Sequence, residues 1–222
     1  MKNNIGNKKE CCLLIKEGSI IVNGVVVDNS NMFISHEDII MFNNQILDSS
    51  PLVYYMLNKP SGYISATKDI NPCVMDFFDR DDLCIAGRLD KDTTGLMILS
   101  NDKSFIKKIT LPEFHISKKY LVHTLNKLSY QDVVRCKEGI IIDNDVLCKP
   151  ALLEIIDDYS CYITICEGKY HQVKKMLLSL NNKVLSLKRV SIGEVELDHT
   201  LKEGEYRKLT DEEILSLKKY VI

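Results

Sequence analysis

The sequence lacks any uninterrupted apolar stretch near the roughly 20 residues that a membrane-spanning helix requires. It also begins without the apolar run and small-residue cleavage site of a secretory signal. We therefore expect a cytoplasmic protein with no membrane segment, whose eight cysteines stay reduced. No two cysteines have the Cys-x-x-Cys spacing, so a metal site is not expected, and most of the cysteines are interpreted as small buried apolar residues.

Motifs of several common chemistries are missing as well. The patterns GxxxxGKS/T, GxGxxG, HExxH and the nucleophile elbow do not occur, which argues against nucleotide-driven, dinucleotide-dependent and zinc-hydrolase reactions. A basic excess is also absent, since the formal net charge is −2. The charges are nevertheless uneven: residues 168–189 contain six basic residues and no acid. This basic segment could bind a polyanion, or its lysines could simply solvate a helix surface. The charge distribution alone leaves both interpretations open.

The composition describes a soluble globular chain of one or two domains, with 222 residues, 45% apolar and 27% charged. Residues 1–48 are predicted to form a small separate unit. A helix is expected over Lys8–Lys16, followed by a hairpin whose turn is Asn23-Gly24 and by a strand over 38–42. Polar punctuation places the linker near residues 47–52.

Residues 52–222 are predicted to form an α+β domain. Strands are expected at 53–57, 96–100, 120–124, 152–156, 161–166 and 184–190. Helices are expected at 102–110, at 171–180 and after the capping box that Thr210 and Glu213 form. Because the strands do not alternate regularly with long helices, a mixed, largely antiparallel central sheet with flanking helices is favoured over a doubly wound parallel sheet.

Three stretches carry side chains suited to chemistry. A polar loop between Gly87 and Gly95 holds Arg88 and Asp90, although an isolated loop of this kind is more often an ordinary turn with an internal ion pair. Tyr120 begins a strand, where tyrosine usually packs. Lys174 lies at the edge of an apolar helix face, from which it reaches either a carboxylate on a neighbouring loop or solvent.

Taken together, these residues resemble the pseudouridine synthases of the RsuA type, which isomerise uridine in ribosomal RNA. The resemblance covers essentially all of residues 53–209 in the family's order. The segments that carry it are 55–62, 87–96, 118–122, 167–176, 187–193 and 204–209. It implies the pseudouridine synthase fold and an rRNA pseudouridine synthase activity. Small-subunit (16S) rRNA is the expected substrate, and large-subunit (23S) rRNA is the alternative.

The resemblance also implies roles for individual residues. Asp90 would be the nucleophile that forms a transient adduct with a flipped-out uridine, at the sugar or at the base, or would initiate elimination at the sugar. Tyr120 would stack on the uracil, Arg88 would fill the gap left by the base, and Lys174 would pair with Asp90 where relatives often have arginine. No cofactor is expected because the isomerisation involves no net redox change. Further RNA contacts are assigned to Lys119 and Lys175.

Residues 1–48 resemble an S4-type RNA-binding module. The sequence departs from that pattern because the first helix, which would precede Ile5, is absent. Lys8, Lys9 and Lys16 are the expected phosphate contacts of this module. The expected partner is ribosomal RNA or an assembly intermediate of a ribosomal subunit, and the protein is expected to be a monomer.

Two functions of other classes remain as alternatives. A non-catalytic rRNA-binding or ribosome-assembly factor would keep the fold without the reaction, but it would have no chemical reason to keep Asp90. A hydrolase that uses Asp90 and Asp92 as an acid–base pair is disfavoured, because carboxylates two residues apart on a short loop seldom reach the separation that such pairs need.

Overall fold

The computed structural model describes residues 3, 5–35, 37–49 and 51–219 of the chain. The chain divides into two compact units. The first comprises Met1–Val53 with Asp102–Ser104, and the second comprises Tyr54–Asn101 with Phe105–Ile222. The assignment of residues 1–48 and 52–222 to an RNA-binding and a catalytic domain stays a prediction.

The first unit contains one helix and a four-stranded antiparallel sheet. Its elements are α1 (Lys8–Lys16), β1 (Ile20–Val22), β2 (Val25–Val27), β3 (Ile40–Phe42) and β4 (Gln45–Ile46), with the strands in the order β2-β1-β3-β4. The predicted helix and hairpin are confirmed. Asn7 caps α1 together with Glu10. Asn23 and Gly24 have φ values of 51° and 81°, the left-handed backbone that a type I′ turn requires.

The second unit is built on a nine-stranded sheet. The strands of this unit are β5 (Tyr54–Lys59), β6 (Cys84–Ile85), β7 (Thr94–Ser100), β8 (Lys118–Thr124), β9 (Ile141–Ile142), β10 (Val146–Leu147), β11 (Leu152–Asp157), β12 (Ser160–Ile165), β13 (Val184–Ile192), β14 (Val195–Glu196) and β15 (Tyr206–Lys208). The sheet runs β11-β12-β8-β13-β7-β5-β15, with β14 beside β13 and β6 beside β7, while β9 and β10 form a separate pair. Among the strand pairs of the described chain, only β7 and β13 run parallel. The prediction of a mixed, largely antiparallel sheet is therefore confirmed.

The strand β7 lies in the centre of the sheet because its sequence is apolar on both faces. Leu96, Met97, Ile98 and Leu99 are all fully buried. A continuous apolar run is typical of a strand that is covered on both sides. This strand directly follows the polar loop of residues 87–95, so the most buried strand of the molecule anchors one end of that loop.

Helices flank the sheet. They are α2 (Lys103–Thr110), α3 (Tyr130–Glu138), α4 (Gln172–Ser179) and α5 (Asp211–Lys218), with short 3₁₀ turns at Val74–Phe77 and Pro112–Phe114. The predicted α2, α4 and α5 are confirmed, and Thr210 caps α5 through the predicted capping box. The helix α3 was not predicted. Its only buried side chain is Cys136, and the signal that was available is the cap at its start, where the Ser129 amide and hydroxyl both donate to Asp132.

Half of the eight cysteines are buried, rather than most of them as predicted. Cys73, Cys136, Cys148 and Cys161 are buried, and the other four are half-buried. Burial raises the pKa of the Cys136 and Cys161 thiols to about 12, so these side chains stay un-ionised. Across the described ranges, no helix is both long and apolar enough to cross a membrane.

Candidate active site

The polar loop between β6 and β7 is held by hydrogen bonds to its backbone. The Ser65 hydroxyl donates to the Leu89 carbonyl at 2.6 Å and accepts from the Leu89 amide at 2.9 Å. The Gly62 amide donates to the Lys91 carbonyl at 2.8 Å. The residues on both sides of Asp90 are therefore fixed by the segment that follows β5.

Lys59 lies underneath the same loop and is fully buried. Its ammonium donates to the carbonyls of Pro60, Lys91 and Thr93, at 3.0, 3.3 and 2.7 Å. Burial lowers the pKa of Lys59 to about 8, although the nearby carboxylates of Asp92 and Asp90 partly offset that effect. Lys59 is not among the residues predicted for the site, because a lysine at the end of a strand usually reaches solvent.

Gly95 allows the loop to run into β7 against the neighbouring strand β13. Its φ is +102°, and a Cβ atom there would lie 2.2 Å from the Arg189 carbonyl oxygen and 2.8 Å from the Arg189 amide nitrogen. Only glycine permits both this backbone conformation and this close approach. The contact sets the parallel pairing of β7 with β13.

Asp90 forms an ion pair with Lys174, as predicted. The Lys174 ammonium lies 2.9 Å from Asp90 Oδ2 and 2.6 Å from Asp92 Oδ1, so one lysine on α4 bridges two carboxylates of the loop. The Asp90 side chain is 25% exposed, whereas that of Asp92 is 71% exposed. Of the two carboxylates, Asp90 is the one sheltered by the fold.

The ion pairs shift the pKa values of Asp92 and Lys174. The hydrogen bond from Lys174 holds the pKa of Asp92 below its usual range, and burial opposes this only in part. Burial disfavours the charged form of Lys174, but its bonds to Asp92 and Asp90 outweigh burial and raise its pKa above the ordinary value. A carboxylate anion held in a fixed orientation beside a cavity is suited to act as a nucleophile.

A second contact to Asp90 comes from His171, whose Nε2 lies 3.4 Å from Asp90 Oδ1. His171 has a left-handed backbone with φ +53°, at the residue immediately before α4, and its ring stacks on Tyr170 at 3.8 Å. The preceding turn is fixed by Glu167, which accepts from the Gln172 side chain at 2.7 Å. His171 is not among the residues predicted for the site, and the signal that was available is its position three residues before Lys174.

A cavity of about 540 Å³ opens beside Asp90. Three of the residues predicted for the site line it together: Arg88, Asp90 and Tyr120. Tyr120 is 7% exposed, whereas Arg88 belongs to the exposed residues. Lys118 and Arg189, to which sequence analysis assigned no role, line the same cavity.

Other predicted contacts lie elsewhere in the two units. Lys119 pairs with Glu154 at 3.0 Å, and Lys175 pairs with Asp143 at 2.5 Å, so neither lines the cavity. In the first unit the exposed Lys8, Lys9 and Lys16 border one shallow recess on α1. No cluster of three or more His, Cys, Asp or Glu side chains suited to a metal ion occurs in residues 3, 5–35, 37–49 and 51–219.

Comparison with known proteins finds relatives that are all named as pseudouridine synthases. Residues 53–179 match the family model described as RNA pseudouridylate synthase. The chain is 41% identical to the ribosomal small subunit pseudouridine synthase A of Haemophilus influenzae, over 97% of this chain and 96% of that protein. It is 38% identical to the protein of the same name from Escherichia coli, over 91% of this chain and 90% of that one.

A solved structure shares the fold as well. The crystal structure of a pseudouridylate synthase is 41% identical in sequence and superposes with a TM-score of 0.75, covering 97% of this chain and 96% of that one. The likeness therefore extends over nearly the whole length of both chains. From the family match, the full-length relatives and the shared fold together, the chain belongs to the RNA pseudouridylate synthase family.

Proposed function

We propose that this protein isomerises a uridine of small-subunit ribosomal RNA to pseudouridine, with Asp90 as the nucleophile. The family and the names of the relatives support the reaction and its substrate class. The observation that supports Asp90 is its ion pair with Lys174 at 2.9 Å on the rim of a cavity that also contains Tyr120. The opposing alternatives, an inert RNA-binding factor and a paired-carboxylate hydrolase, account for neither the relatives nor this geometry.

The reaction requires the target nucleotide to leave the RNA stack and enter the cavity. Base extrusion costs a few kcal/mol, which contacts to the flanking backbone must offset. Arg88, exposed at the cavity mouth, occupies the space that the base leaves, and Tyr120 stacks on the extruded ring. Lys174 and His171 hold the Asp90 carboxylate in its orientation while it attacks.

The isomerisation detaches uracil at N1, turns it and rejoins it through C5. Every atom of the substrate is retained, and the proton lost from C5 is balanced by one gained at N1. Asp90 divides this exchange into two easier steps through a transient covalent bond or by initiating elimination at the sugar. Neither route requires an oxidant or a reductant.

The test compares two aspartates on the same loop. Asp90→Asn removes the charge of the sheltered carboxylate, whereas Asp92→Asn makes the same chemical change at the exposed carboxylate bound to the same lysine. Purified variants are incubated with transcribed small- and large-subunit rRNA, and pseudouridine is located by chemical mapping. We expect Asp90→Asn to abolish product while RNA binding persists. We expect Asp92→Asn to keep at least a tenth of the wild-type rate, which corresponds to an activation barrier raised by at most about 1.4 kcal/mol.

The outcomes separate the alternatives. Full activity of Asp90→Asn would show that another group is the nucleophile. Absence of pseudouridine from the wild-type reaction on every ribosomal RNA would favour the inert assembly factor. Product found only in large-subunit RNA would support the proposed reaction and show that large-subunit RNA, not small-subunit RNA, is the substrate.

The first unit is proposed to bind RNA as an S4-like module over residues 1–48, joined to a catalytic domain over 52–222. Lys8, Lys9 and Lys16 lie exposed on one helix. Exposed lysines of this kind contact RNA phosphates and do not recognise the base sequence. The proposed partner is ribosomal RNA or an assembly intermediate of a ribosomal subunit. The protein is proposed to act as a monomer in the cytoplasm. Lys119 and Lys175 remain proposed as weaker RNA contacts, since each is already paired with a carboxylate.

A further inference from the structure

Arg189 is an unusually placed cation. It lies on the central strand β13, is 1% exposed and lines the cavity beside Asp90. Its Nε donates to the Leu96 carbonyl at 2.7 Å, whereas its Nη2 is buried and has no hydrogen-bond partner among the residues that the structure describes. A buried guanidinium nitrogen without an acceptor is costly, so it indicates a position that a ligand completes.

Lys118 brings a second cation to the same cavity. Arg189 is the register partner of Tyr120, and Lys118 precedes Tyr120 by two residues on β8, so all three side chains lie on one face of the sheet. The Lys118 ammonium donates to the Ile116 carbonyl at 3.1 Å, and no carboxylate pairs with it among the described residues. Burial, and then the neighbouring charge of Arg189, lower its pKa to about 8.

The two donors require an acceptor that reaches the cavity floor. Asp90 does not serve, because its oxygens are engaged by Lys174 and His171. A phosphate of the RNA backbone belongs near the surface, where exposed lysines meet it, and Arg189 is buried. The group that penetrates deepest is the extruded base itself, and uracil presents two carbonyl oxygens.

We propose that Arg189 and Lys118 bind a carbonyl oxygen of the target uracil and stabilise the negative charge on the ring when its bond to the sugar breaks. The inference rests on the proposed pseudouridine synthase function. When the C1′–N1 bond breaks, its electron pair remains with the uracil and spreads over N1 and the two carbonyl oxygens. Fixed donors aimed at such an oxygen are most effective in a site shielded from water. Neither cation has to transfer a proton.

A contact to the C4 carbonyl also selects the base. Cytosine has an amino group at C4, and a hydrogen-bond donor facing two cations leaves all of them unpaired. A site built to pair with this oxygen rejects a base that lacks it. Cytosine keeps the C2 carbonyl, so a contact to that oxygen binds the base without excluding cytosine. Lys118 and Arg189 are thus substrate-binding residues, and they discriminate between the bases when their acceptor is the C4 oxygen.

The experiment measures single-turnover pseudouridine formation with enzyme in excess over a transcribed rRNA substrate. Lys118→Met keeps most of the side-chain volume and removes the charge. Its control is Lys188→Met, which removes a lysine adjacent to Arg189 on the opposite face of β13. We expect a ~10–100-fold slower reaction for Lys118→Met, the loss typical of one hydrogen bond from a charged donor, and an unchanged rate for Lys188→Met.

Two further measurements identify the contact. RNA with 2-thiouridine or 4-thiouridine at the target replaces one carbonyl oxygen by sulfur, a weaker acceptor. One of these substrates should slow the wild-type enzyme and cause no additional loss in Lys118→Met. Arg189→Lys should retain more activity than Arg189→Met. The Lys118 comparison stands even if the Arg189 variants do not fold.

Three results would overturn the inference. The first is a Lys118→Met rate equal to wild type while Asp90→Asn is inactive, which leaves the proposed function intact. The second is a weakened RNA affinity with a salt slope reduced by about one, which indicates a phosphate contact. The third is a rate loss from the thiouridine substrate that is as large in Lys118→Met as in the wild-type enzyme. Absence of pseudouridine with the wild-type enzyme would instead refute the proposed function itself.

Discussion

Replacement of Gly95 by alanine tests how closely the strand after the active-site loop approaches β13. The added Cβ would lie 2.2 Å from the Arg189 carbonyl oxygen, which belongs to the backbone of a central strand and cannot rotate away. The φ of +102° adds a conformational penalty. We expect ~1–2 kcal/mol from the backbone conformation and ~1–3 kcal/mol from forcing the strands apart, or ~2–5 kcal/mol of lost stability in all.

The matched control is Gly62→Ala. Gly62 has a similar φ of +90° in the same unit, but nothing lies within 4 Å of the position of its added Cβ. Only the conformational penalty of ~1–2 kcal/mol should appear there. Urea unfolding of both variants, compared at equal slope, measures the difference in the free energy of unfolding. Equal losses for Gly62→Ala and Gly95→Ala would refute the close approach of β7 to β13.

Three further expectations follow from other parts of the structure. The ratio of wild-type to Lys118→Met single-turnover rates should fall as the pH rises through about 8, because the wild-type lysine loses its charge there; a constant ratio across pH 7–9 would contradict a charged role. Arg207 binds two carboxylates, Asp198 at 2.6 Å and Glu213 on α5 at 2.7 Å. Hydrogen bonds from Thr200 and then from Arg207 lower the pKa of Asp198, and the bond from Arg207 lowers the pKa of Glu213. Arg207→Met should therefore lose ~1–3 kcal/mol of stability at neutral pH. This difference should shrink as acid titrates the carboxyls below about pH 4, and thermal unfolding at both pH values measures it. Joint replacement of Lys8 and Lys9 by glutamine should weaken RNA binding at moderate salt more than Lys174→Gln does, and unchanged binding would show that the first unit does not grip RNA.

Much of the fold could be predicted because local patterns were strong. The apolar run of β7, the Asn23-Gly24 turn and the capping box at Thr210 each specify structure within a few residues. The helix α3 was missed although it carries a local signal of the same kind, the cap in which Ser129 donates to Asp132.

The candidate site divides along a similar line. The pairing of Asp90 with Lys174 was predicted from the family resemblance and is confirmed by their 2.9 Å contact. Lys59, Lys118 and Arg189 escaped notice because a charged residue in a strand is ordinarily interpreted as solvent-facing. Their burial arises from strands that meet only in the folded sheet, so no window of sequence reveals it.

The bridge from Lys174 to the loop has a consequence for synthesis of the protein. Asp92 and Lys174 are separated by 82 positions, and the contact of Arg189 with Leu96 spans 93 positions. While the chain emerges from the ribosome, Asp90, the proposed nucleophile, is synthesised long before the residues that orient it have been translated. Contacts between such distant segments form late in folding. Catalytic competence would thus arise only near the completion of translation, and a nascent chain would carry Asp90 without being an enzyme.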